Sequence, residues 1–81
     1  MIDIREFPLD DYEEVVSTNI KAVGVAGGYL VVQFNSGLAY RYPGLSHLFH
    51  EMVSAPSVGK FFAEHVRKET CERVCGEWPD A

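Results

Sequence analysis

Between Ile20 and Tyr42 the chain carries three strand-like runs separated by turns too short to hold a crossover. Neighbours joined so closely can only run antiparallel, so a β-meander is the simplest arrangement. Lys21-Ala22-Val23-Gly24-Val25 makes the first run, and Gly27-Gly28 is a two-residue hairpin signal. Tyr29 to Phe34 is rich in β-branched and aromatic residues, Asn35-Ser36-Gly37 makes the next turn, and Leu38 to Tyr42 is the third run. Strand alternation puts the rings of Tyr40 and Tyr42 on one face and Arg41 on the other. A tyrosine has a large apolar body and a polar tip, which suits a core edge and a binding platform equally.

Pro43-Gly44 breaks the sheet. Leu45, Leu48, Phe49, Met52 and Val53 then recur at spacings of three and four, one face of a helix that Ala55-Pro56 ends. Ser57 caps a second helix with Val58, Phe61, Phe62, His65 and Val66 on its inner face. That helix is predicted to run to about Thr70, or as far as Val74, with Gly76 as its stop. Ahead of the meander, Ile2 and Ile4 alternate and predict a short edge strand ended by Pro8, and Asp10 to Glu14 reads as a single helical turn. The expected fold is α+β: a three-stranded antiparallel meander followed by two helices packed on one sheet face. Residues 1–15 read as an acidic N-terminal extension, 16–75 as the domain, and 76–81 as a tail anchored by Trp78.

A length of 81 residues with 47% hydrophobic side chains allows one small core and argues against disorder. No apolar run approaches the roughly 20 residues of a membrane span, and Met1 to Glu6 has no secretory pattern, so a cytoplasmic protein without membrane partners is expected. Cys71 and Cys75 are then free thiols. The net charge of −5 is unevenly spread. Asp3, Glu6, Asp10, Asp11, Glu13 and Glu14 crowd the start, and Glu69, Glu72, Glu77 and Asp80 the end, while Lys21, Arg41, Lys60, Arg67 and Lys68 leave the middle positive.

Catalytic patterns are weak. His47-x2-His50 and Cys71-x3-Cys75 match no common zinc spacing, and His65 lies six residues from Cys71, off its helix face. Gly24, Gly27 and Gly28 lead into a strand rather than a helix, so they form no phosphate cradle. No catalytic residue, metal or cofactor is expected. The aromatic-basic set remains: Tyr40 and Tyr42 with Arg41, Lys60, Arg67 and Lys68 would suit unpaired bases and a phosphate backbone. An alternative set, Asp10, Asp11, Glu13 and Glu14, would engage a basic protein partner in place of its nucleic acid.

Several blocks also occur in a telling order: Ser17-Thr18-Asn19-Ile20, then Leu30 to Gly37, then Tyr40-Arg41-Tyr42, then Ala55-Pro56-Ser57-Val58-Gly59-Lys60-Phe61-Phe62, then His65-Val66-Arg67. From Val16 to about Val74 the chain resembles the KTSC domain, a small module found alone in bacterial and phage proteins and at the C-terminus of some lysyl-tRNA synthetases. The resemblance implies no enzymatic activity; RNA or nucleic-acid binding is the suggestion attached to the family. By position it points to Tyr40, Tyr42, Ser57, Gly59, Lys60 and Phe62. The expected function is a small non-enzymatic binding module for RNA or single-stranded nucleic acid. The alternative is an acidic protein-binding module, such as a phage or mobile-element inhibitor.

Overall fold

The structure, a computed structural model, describes residues 2–3 and 9–75. In chain order it holds β1 (Ile2–Asp3), β2 (Asp11–Glu14), β3 (Ile20–Ala26), β4 (Tyr29–Phe34), β5 (Ala39–Pro43), α1 (Phe49–Ser54), α2 (Val58–His65) and β6 (Glu72–Cys75), with a 3-10 turn over Ser46–Leu48 before α1. The predicted meander is β3-β4-β5. Gly27 and Gly28 close its first hairpin at φ of 54° and 89°, a conformation that residues with a Cβ rarely adopt. Register is set by alternation. Val23 and Val25 pair with Val32 and Leu30, and these pair in turn with Tyr40 and Tyr42, all on the face that the helices cover.

The sheet is wider than predicted. Its order is β1-β6-β5-β4-β3-β2, in which β2 to β6 are antiparallel neighbours and β1 joins β6 in parallel. Two sequence readings are therefore corrected. Asp11–Glu14 is an edge strand rather than a helical turn, because its backbone bonds to β3 from Asp11↔Val25 to Glu14↔Ala22. Asp11, Glu13 and Glu14 of the acidic segment thus lie in the sheet. The second helix ends at His65, not near Thr70 or Val74; a turn follows, and Glu72–Cys75 comes back as β6 beside β5. Without it β5 would present a row of unpaired backbone groups, which is a stronger constraint than the local helical spacing. The expected tail, residues 76–81, and Ile4 to Pro8 lie outside the described residues.

The main core lies between sheet and helices. Ile20, Val23, Leu30, Val32, Tyr42, Phe49, Met52, Val58 and Val66 are buried there. Helices this short are marginal in isolation, so their apolar faces hold them in place. Ser57 caps α2 as predicted, its Oγ accepting from the Lys60 amide at 3.2 Å. Phe62 seats the same helix: its ring meets Phe34 edge-on at 5.4 Å and Tyr42 at 6.0 Å between centroids. The far face of the sheet carries a second, smaller cluster of Ala22, Ala26, Val31, Ala39 and Val74, with Leu9 and Tyr12 packed against it.

Tyr42 is 3% exposed. Burial pushes its phenol well above the usual tyrosine range, and the neighbouring Cys71 thiol and Tyr40 push the same way. The folded state therefore keeps this proton while the unfolded chain releases it near pH 10, so the group costs stability as pH rises past about 10. Two outcomes follow. Replacing Phe62 with alanine lowers unfolding free energy by about 2–3 kcal/mol in urea denaturation, somewhat below the value for a fully enclosed ring. Phenolate absorbance near pH 11 is the same in the parent and in folded Tyr42→Phe; a smaller signal in the variant shows that Tyr42 ionises in place.

Candidate functional site

The six side chains of the aromatic-basic set do not meet on one surface. Tyr40 and Tyr42 lie on the helix-covered face, Tyr42 in the core and Tyr40 half-buried with its ring edge-on to Phe34 at 6.0 Å. Arg41 points to the opposite face. There Nε and Nη2 donate to Glu72 Oε1 at 3.1 and 2.9 Å, and the guanidinium lies 4.2 Å from the Tyr29 ring centroid. Its charge is thus already matched within the fold. Lys60, Arg67 and Lys68 are exposed along α2 and the turn after it, and none forms an ion pair among the described residues.

The acidic set also divides. Asp10 is structural: its Oδ2 accepts from the Gly27 amide at 3.0 Å and its own amide donates to Val25 O at 2.8 Å, which fastens the start of β2 to the β3–β4 hairpin. Asp11, Glu13 and Glu14 are exposed on the edge strand, the first two registered with helix-face residues Val25 and Val23 and Glu14 with far-face Ala22. His47, His50 and His65 are exposed, as is Cys71, and among the described residues no group of three or more candidate ligands lies close enough to share a metal.

What the fold does bring together is a cleft of about 400 Å3 between α2 and the open end of the meander. Three stretches of chain build it. The segment leading into β3 supplies Thr18, Asn19 and Ile20; the end of β4 and its turn supply Phe34, Asn35 and Ser36. Gly59, Phe62 and Ala63 come from one face of α2, and Arg67 from the turn beyond it. Ile20, Phe34 and Phe62 make an apolar floor, the Thr, Asn and Ser side chains an uncharged polar wall, and among the described residues Arg67 is the only charged one in the lining.

Two of the walls are tied. Asn35 Nδ2 donates to the carbonyls of Ser17 and Thr18 at 3.1 and 2.9 Å, and its amide donates to Asn19 O at 2.8 Å. The third wall approaches closely, since a Cβ on Gly59 would stand 3.3 Å from Ser17 Oγ. Gly59 thus permits close packing at the first turn of the helix. A groove of about 290 Å3 on the other side of α2 runs past Ser57, Lys60, Phe61 and Glu64. Spacing alone could not have found Thr18, Asn19, Asn35 and Ser36 as neighbours of α2. Asn35-Ser36-Gly37 reads locally as a turn, and the only sequence signal was the order of the blocks.

No helix among the described residues is long and apolar enough to cross a membrane. No curated protein is similar enough to the chain to count as a match. The family model of the KTSC domain, however, matches residues 16–69, the greater part of the 81 residues. That span takes in β3, β4, β5, both helices and every residue that lines the cleft. The chain belongs to the KTSC domain family.

Proposed function

We propose that this chain is a small, non-enzymatic binding module for single-stranded nucleic acid, RNA foremost, and that it binds on the α2 side of the molecule. The observation that carries this reading is Arg67 in the lining of a cleft with an aromatic floor, with exposed Lys60 on the same helix and Lys68 in the turn after it, none of the three ion-paired among the described residues. Single-strand binders combine the same two elements, positive charge that follows the phosphates and rings that receive bases. Arg41, held by Glu72 on the opposite face, has no part in it. Tyr42 contributes from inside the core by supporting Phe62.

Three cations and a net charge of −5 make for modest, salt-sensitive binding. Fluorescence anisotropy with a labelled unstructured RNA should give log K falling with log salt at a slope near −2, from about 0.7 per phosphate on a single strand. Lys60→Gln with Lys68→Gln together should flatten that slope by about 1.4. No binding at high micromolar protein, or a slope untouched by the pair, removes the proposal.

A basic protein partner is the second reading, supported by the exposure of Asp11, Glu13 and Glu14 on an edge strand. Its probe is a lysine-rich peptide. Capture should disappear in the triple variant Asp11→Asn, Glu13→Gln, Glu14→Gln, and capture that survives eliminates this partner class.

A further inference from the structure

We infer that the cleft between α2 and the Asn35 turn is a socket for one unpaired nucleotide of a bound strand, an inference that rests on the nucleic-acid reading above. Its size comes first. A volume of about 400 Å3 lies at the lower end of the roughly 300–1,000 Å3 typical of small-molecule clefts, room for one nucleotide-sized group and not two.

The lining chemistry follows the parts of a nucleotide. Phe34 and Phe62 present aromatic surface to a base. Thr18, Asn19 and Ser36 offer uncharged donors and acceptors to base edges and ribose hydroxyls. Both Asn35 side-chain donor contacts go to backbone carbonyls, which leaves its Oδ1 as an open acceptor. Among the described residues Arg67 is the only charge in the lining, with no carboxylate beside it there, and a guanidinium suits a phosphate.

The walls are in place before any ligand arrives. Asn35 ties the turn to Ser17, Thr18 and Asn19, and the near contact of Gly59 with Ser17 sets the approach of α2. A preorganised site loses less on binding. A peptide carboxylate would use Arg67 and leave the polar wall of Thr18, Asn19 and Ser36 without a purpose, whereas a nucleotide uses both.

The test is an amide-shift titration by NMR with uridine 5′-monophosphate, a short oligouridine, inorganic phosphate and an apolar peptide with a free C-terminus. Both nucleotide ligands should move the amides of Asn35, Gly59 and Ala63. Ala63→Trp, at an exposed helix position that faces the cleft, should keep the fold by circular dichroism and weaken the oligouridine by about tenfold, the size expected for one lost stacked base. Arg67→Gln should weaken both nucleotide ligands. Oligouridine binding unchanged in Ala63→Trp overturns the socket and leaves the nucleic-acid function standing. Mononucleotide in the cleft with no oligouridine binding overturns the nucleic-acid function and with it the socket for a strand, and makes the cleft a site for a free nucleotide. Inorganic phosphate or the peptide reproducing the same shifts at equal concentration overturns the nucleotide assignment.

Discussion

The contact on which the rest of this molecule depends is the Phe62 ring, held edge-on between Phe34 and Tyr42. The helices are six and eight residues long, below the length at which a helix persists alone. What keeps α2 helical is the sheet beneath it, and Phe62 is one of the residues through which the two pack. Edge-to-face pairs add roughly 0.5–1.5 kcal/mol each beyond buried area, and this ring makes two of them. The same ring forms part of the cleft floor. Stability and the candidate site therefore share a residue, and the site cannot be altered there without loosening the fold.

Elements with a strong local cause could be read from the sequence. Gly27-Gly28 demanded a turn, the alternation from Tyr29 to Tyr42 demanded strands, and Ser57 ahead of an apolar helix face announced a cap. The elements that escaped are those whose cause lies elsewhere in the chain. Asp11–Glu14 has almost nothing strand-like in its composition and is extended because β3 offers it a ladder. Glu72–Cys75 was drawn into a helix by the spacing of earlier residues, yet it serves the open edge of β5, where Glu72 also meets Arg41. Both strands fall outside residues 16–69, so the family pattern describes the central meander and the helices while the flanks widen the sheet on either side. The cleft was hidden for a similar reason. Its parts lie well apart in the chain, and the β3–β4 pairing of Ile20 with Phe34 together with the bonds of Asn35 brings two of them together.

Charge that was counted along the chain has a different meaning in space. The positive middle divides into Lys21, exposed on β3, Arg41, neutralised by Glu72, and Lys60, Arg67 and Lys68 on α2 and the turn after it, which form no ion pair among the described residues. Asp11, Glu13 and Glu14 are arranged along the edge strand β2, and Asp10 just before it fastens a hairpin. A net count of −5 therefore says little about how charge is laid out over the surface.

The outermost strand has one more consequence. At β2 the sheet stops with side chains of Asp11, Glu13 and Glu14 exposed on both of its faces. A second copy offering the same strand, side by side, would bring carboxylates close to carboxylates along most of the strand. Open sheet edges invite chains to stack without limit, and natural proteins commonly blunt them with charge. The acids that suggested an arm for grasping a partner thus also guard the sheet against its own kind.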